Sequence, residues 1–101
     1  MRTRIELHEE LCALLGSRQV YFRAPESVKM SYPAIVYDRT NYRNDHANDD
    51  IYRQMKAYTI TVIDKNPDSE LPDKVMRLPF CRFDRHYVAE NLNHDVFTLY
   101  Y

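Results

Sequence analysis

The chain has 101 residues, of which 45% are hydrophobic and 29% charged, and its formal net charge is −1. This length suits one domain with a single core, and the near-neutral balance gives no electrostatic reason to expect binding to nucleic acid or an anionic membrane. One glycine and two cysteines exclude the glycine-rich phosphate-binding loops and a disulfide framework, so a reduced compartment is expected.

The first segment predicts a helix over residues 3–15. Thr3 and Glu6 have the spacing of a capping box, and the only glycine, Gly16, stands where helices commonly end in a left-handed residue. One helical face carries Leu7, Leu11, Leu14 and Leu15. We expect this leucine stripe to cover one face of a sheet.

Two strands are predicted next, over residues 19–23 and 33–38, and the second can extend to Tyr42. The pair Tyr32-Pro33 favours extended backbone at its start. Residues 41–50 are rich in turn-forming side chains and predict an exposed loop. The segment that follows this loop leads into a third strand.

The strongest strand pattern covers residues 57–64. Residues 58–63 are all β-branched or aromatic, the side chains that fit a pleated sheet best. Alternation places Tyr58, Ile60 and Val62 on an apolar face and the threonines on the other. We expect this strand to be central, and residues 32–64 to form a long hairpin whose tip projects beyond the sheet.

A second helix of about two turns is predicted after an N-cap at Asp68 or Ser69, with Pro72 in its first turn. Leu71, Val75 and Leu78 form its buried stripe.

Two more strands are predicted over residues 81–87 and 93–101, joined by a turn at residues 89–91. Alternation in the first places Cys81, Phe83 and Tyr87 on its apolar side, and His86 on the opposite side. The whole chain, residues 1–101, is therefore predicted to be one α+β domain in the order α-β-β-β-α-β-β. Its two helices pack on a mixed, mostly antiparallel sheet of about five strands.

The acidic loop contains candidate metal ligands, since carboxylates and imidazole are common donors. These are Asp45, His46, Asp49 and Asp50. Their spacing matches no established ligand pattern, and the glycine and glutamate of an EF-hand are missing. We predict no metal and no cofactor.

A thiol nucleophile could be assembled from Cys81 with His86 as base and Asp84 or Asp95 as orienting group. The opposite parity of Cys81 and His86 argues against this pair, and Cys81 is better explained as a small core residue. The sequence therefore predicts no catalytic residue.

Aromatic and basic residues alternate around Tyr21, Tyr37, Tyr42 and Tyr52, a pattern that can stack bases. The glycine-containing RNA-recognition signature is absent, and arginine with tyrosine is also typical of protein contacts. We predict an interface on the projecting hairpin, with no specific recognition of nucleic acid. The residues assigned to it are Arg43, Asp45, Asp49, Asp50, Tyr52 and Arg53.

Several stretches together resemble the small tail-completion proteins, or tail terminators, of long-tailed bacteriophages and prophages. They are residues 11–16 (LCALLG), 20–22 (VYF), 32–37 (YPAIVY), 47–49 (AND), 58–64 (YTITVID) and 92–97 (LNHDVF). The resemblance covers nearly the whole chain and its order of elements.

The resemblance implies a non-enzymatic α+β protein that forms a six-membered ring on the finished tail tube. Such a ring stops tube polymerisation and presents the tail to the head–tail connector, so the expected partners are other copies, the tube protein and the connector. The expected location is the virion, after assembly in the bacterial cytoplasm, and DNA can pass through the ring. The alternatives are a neck stopper or connector protein, or a small nucleic-acid-binding domain.

Overall fold

The computed structural model describes residues 3–23, 30–47 and 51–101, with side chains described outside residues 41–55. The elements are α1 (Arg4–Leu15), β1 (Val20–Phe22), β2 (Ala34–Ala47), β3 (Ile51–Asp64), α2 (Leu71–Met76), β4 (Cys81–Ala89) and β5 (Leu92–Tyr100). The five strands form one sheet in the order β1-β2-β3-β5-β4. The β1–β2 pair is parallel and the other pairs are antiparallel, which confirms the predicted α+β fold with β3 at the centre.

Helix α1 begins and ends as its sequence predicts. The Glu6 N–H donates to the Thr3 hydroxyl at 3.2 Å, which satisfies one of the free donors of the first turn. Gly16 ends the helix with φ 81°, a left-handed conformation that glycine adopts without strain. Leu7, Leu11 and Cys12 are buried, so the leucine stripe faces the sheet.

The core lies between the two helices and one face of the sheet. β3 contributes Tyr58, Ile60 and Val62 to it, and the neighbouring β5 contributes Phe97 and Leu99. This is the apolar face that alternation predicts for the central strand. Among the described residues, no helix is long and apolar enough to cross a membrane.

The hairpin of β2 and β3 is longer than the sequence indicates. Residues 41–47, predicted to lie in a loop, belong to β2 and pair with β3 as far as Ala47 and Ile51. The hydrogen-bonded ladder overrides the local turn preference of these residues. β1 pairs with β2 only as far as Tyr37, and β5 pairs with β3 only from Ala57. The far part of the hairpin therefore projects beyond the sheet, as predicted.

Helix α2 starts slightly later than predicted. Its N-cap is Glu70, which makes no side-chain capping bond, and not Asp68 or Ser69. Ser69 still accepts a hydrogen bond from the Leu71 N–H at 3.2 Å. Pro72 lies in the first turn, where its missing N–H has no helical partner to lose.

A two-residue turn joins β4 and β5. Glu90 and Asn91 have φ values of 55° and 64°, the pair of left-handed residues that a type I′ turn requires. This turn fixes the register of the two strands and brings Val88 opposite Asn93.

Candidate interaction surfaces

Strand β4 forms one edge of the sheet and contains a bulge at Asp84. Phe83 pairs with Phe97 and Arg85 pairs with Val96, so Asp84 is an extra residue in the ladder. Beyond a bulge the side chains no longer follow simple alternation. The predicted parity is therefore wrong: His86 lies on the helix-bearing face with Phe83, and Tyr87 lies on the opposite face.

Exposed apolar side chains are concentrated at this edge. Of the six large ones found exposed among the described residues, five belong to residues 76–88 and only Ile5 lies elsewhere. We call four of them the β4 patch: Met76, Phe80, Phe83 and Val88. Phe80 is 59% exposed and Val88 62%. Exposed apolar side chains along the edge strand and on the helix before it are available for contact with another protein.

The face of β4 that points away from the helices is polar. Hydrogen bonds and a ring contact hold its side chains in place. Asp84 accepts hydrogen bonds from Arg82 Nε at 3.1 Å and from the Thr98 hydroxyl. Tyr87 stacks on His94 with ring centroids 4.6 Å apart. Charges and a bulge hinder the direct pairing of an edge strand with another chain. The patch therefore suits contact through side chains and not through an extended sheet.

The geometry does not assemble a thiol nucleophile at β4. Cys81 pairs with Leu99 and His86 pairs with Asp95, so four residues of β5, roughly 13 Å, separate the two positions. His86 Nδ1 lies 2.9 Å from Asp95 Oδ1. Burial, with Asp84 adding to it, raises the pKa of the Cys81 thiol to about 11, which favours the unreactive thiol form.

A basic pocket lies on the helix-bearing face, where the hairpin leaves the sheet. It encloses about 310 Å³ and is lined by Arg4, Phe22, Arg23, Arg39, Lys56 and Tyr58. The four cations come from α1, from the residue after β1, from β2 and from β3. The sequence alone does not predict this pocket, although the alternation of aromatic and basic residues includes Phe22, Arg23 and Arg39.

Aromatic rings and hydrogen bonds position two of these cations. The guanidinium carbons of Arg4 and Arg23 lie 4.6 Å and 4.9 Å from the centre of the Phe22 ring, within cation–π range. Arg23 Nε also donates to Asp38 Oδ1 at 2.8 Å. Arg4 Nη1 donates to the Tyr37 hydroxyl at 3.3 Å. Contacts of this kind restrain the positions of the two arginine side chains.

The Tyr37 hydroxyl also lies 2.8 Å from His8 Nδ1. Burial lowers the pKa of His8 below 6.5; nearby Arg18 and Arg4 act in the same direction, whereas Glu9 opposes them. A neutral His8 can accept a hydrogen bond from the Tyr37 hydroxyl, which leaves the Tyr37 oxygen to accept one from Arg4. The protonation state of His8 is thus linked to the contact that positions Arg4.

We expect the free energy of unfolding to fall as the pH drops below about 6.5. Above this value His8 is neutral in both states; below it, the unfolded chain binds a proton that the folded chain resists, until the lower folded pKa is passed. Urea unfolding of the wild type and His8→Gln from pH 8 to pH 5 measures the difference. The variant should lose less stability than the wild type over this interval, and equal losses would contradict this assignment.

Four of the six predicted interface residues lie on the described part of the projecting hairpin. The backbones of Asp45 and Arg53 pair across the ladder, Arg43 pairs with Met55, and Tyr52 pairs with His46. Asp49 and Asp50 lie outside the described residues. Among the residues that the structure describes, no group of three or more histidine, cysteine, aspartate and glutamate side chains is placed to hold a metal ion.

No protein-family model matches the chain, and no curated protein matches it either.

Proposed function

We propose that this chain is a non-enzymatic assembly protein of a bacteriophage or prophage particle. It caps the end of the tail tube as a ring of identical subunits and forms the tail side of the head–tail joint. The sequence resemblance supports this role, and so does a fold in which helices cover one face of a sheet. The concentration of exposed apolar side chains at the β4 edge is the observation that carries the proposal.

A closed ring needs two different surfaces on each subunit, because every copy contacts its neighbours head to tail. The β4 patch supplies one of them. The bulge and charges of β4 keep this contact to side chains, which limits growth into a continuous sheet. The hairpin, which projects from the body of the subunit, supplies a second element that can reach a neighbour or the tube.

The double variant Phe80→Asn/Val88→Thr tests this role. Asparagine tolerates the φ of 60° at Phe80 better than phenylalanine does, and threonine keeps the β-branched shape of Val88. Folding stability should therefore be nearly unchanged. Association should weaken about tenfold or more, because buried aromatic residues dominate interface energies. Ile5→Gln, which replaces the exposed apolar residue outside the patch, is the matched control.

The measurements are sedimentation at rising concentration and capping of tail tubes built from the particle's own tube protein, viewed by electron microscopy. The wild type and Ile5→Gln should form rings, alone or on tube ends, while the double variant should not. A wild type that stays monomeric and leaves tube ends uncapped would overturn the proposal. Binding to the head connector without capping would instead indicate a neck stopper.

A further inference from the structure

The far part of the β2–β3 hairpin is a ribbon of two strands. We call residues 43–47 and 51–55, whose backbones pair with each other, the ribbon. In the part of the chain that the structure describes, no third strand joins it, because β1 pairs with β2 only as far as Tyr37 and β5 pairs with β3 only from Ala57. In an antiparallel ladder every second residue points its N–H and C=O away from the partner strand. Both outer edges of the ribbon therefore present main-chain donors and acceptors for a further strand.

The edges of the ribbon lack two common protections against strand pairing. Its ladder runs from Asn41 to Ala47 without a bulge, and residues 41–55 contain no proline. Bulges and prolines are devices that keep an edge from adding a strand, and β4 carries such a bulge at Asp84. A ribbon of two strands is also marginally stable by itself, and pairing with further strands stabilises it. The ribbon is thus an edge suited to pairing, whereas β4 is not.

The ribbon of a second copy matches these edges in length and direction. Among the other described edges of this chain, β1 offers only three residues and β4 is interrupted by its bulge. The two strands of the ribbon run in opposite directions and contribute five paired residues each. When two identical ribbons lie side by side and point the same way, β3 of one is therefore antiparallel to β2 of the other. Subunits of a ring have this common orientation, so every ribbon has a neighbour at both edges.

We propose that the ribbons of neighbouring copies pair edge to edge, β3 of one copy with β2 of the next, through main-chain hydrogen bonds. This inference rests on the proposed ring and gives the projecting hairpin a specific partner, the hairpin of another copy. The ribbons then form one closed antiparallel sheet. Closure leaves no edge for a further strand, so the same pairing that joins the copies also stops at a finite number of them.

Proline and alanine at the same position separate main-chain from side-chain contact. Gln54 and Met55 are adjacent on β3, so one presents its N–H to β2 and the other presents it to the outer edge. Gln54→Pro and Met55→Pro should each weaken ring formation about tenfold or more, because proline has no N–H and its ring obstructs the ladder. Gln54→Ala and Met55→Ala keep the N–H, and both controls should assemble normally. Sedimentation at rising concentration measures assembly, and urea unfolding checks that every variant folds.

Mixed isotope labelling identifies the strands that meet. Rings are formed from equal amounts of ¹⁵N-labelled and ¹³C-labelled wild-type chains, and solid-state NMR detects only contacts between differently labelled copies. Contacts should join residues 43–47 of one copy to residues 51–55 of another. Contacts of β2 with β2 would indicate a symmetric pair of copies and would overturn the proposed pairing. Rings without any contact between ribbons would overturn it as well.

The outcomes separate this inference from the proposed function. If both proline variants assemble like the wild type while Phe80→Asn/Val88→Thr does not, the ring stands and the edge pairing is wrong. If the alanine variants lose assembly as fully as the proline variants, side chains make the contact and the main-chain pairing is again wrong. If the wild type neither assembles nor caps tubes, the proposed function fails and the pairing fails with it.

Discussion

Phe97→Ala is expected to lower the free energy of unfolding by about 3–5 kcal/mol, the usual loss for a buried phenylalanine. Phe97 is fully buried in the core, and its ring packs edge-on against Phe83 with centroids 5.5 Å apart. Phe83 is 45% exposed, so Phe83→Ala should cost only about 1 kcal/mol. Both substitutions shorten a phenylalanine to alanine, and the two phenylalanines are partners in one ring contact.

Urea unfolding at low protein concentration, where association does not add to stability, measures both losses. The Phe97 variant should have the lower midpoint and the Phe83 variant the weaker assembly. Equal losses of stability would show that the β4 edge is as well packed as the core. That result would remove the reason to treat the β4 patch as a contact surface.

Tyr37→Ala is expected to have a loss of similar size, about 3–5 kcal/mol. Tyr37 is buried, and its ring lies 5.1 Å from the Phe22 ring and 6.1 Å from the Tyr58 ring. Its removal therefore takes away a central ring of the cluster behind the basic pocket. Tyr37→Phe keeps the ring and should cost about 1–2 kcal/mol, through the hydroxyl that Arg4 and His8 contact.

Tyr87→Ala is the control for the Tyr37 series, because Tyr87 is exposed and packs only on the polar face of β4 and β5. It should unfold close to the wild-type midpoint. A Tyr37→Phe loss as large as that of Tyr37→Ala would place the whole effect in the hydroxyl. The ring cluster would then contribute little to stability, contrary to its burial.

Features that depend on neighbouring residues in sequence could be predicted. The start and end of α1 are set by Thr3 and Gly16, which lie next to the helix they bound. The central position of β3 follows from an unbroken run of β-branched and aromatic residues. In both cases local preference and the final packing agree, so the sequence pattern was sufficient to predict the structure.

Features that depend on residues far away in the sequence could not be predicted. Residues 41–47 carry turn-forming side chains, and only their pairing with β3 makes them a strand. The bulge at Asp84 has no local marker, and without it the sides of His86 and Tyr87 are assigned wrongly. The basic pocket draws single cations from separate elements, so it exists only once the sheet order is known.

The extra residue in β4 affects how readily this edge of the sheet can pair with another strand. Loss of the single codon for Asp84 would leave Phe83 opposite Phe97 and Arg85 opposite Val96, so the fold and the β4 patch would survive. The edge would become a regular strand, without its irregular step and with one carboxylate fewer, and both changes remove features that hinder pairing with a further strand. One small deletion would thereby leave this edge more open to pairing with a second copy of the strand.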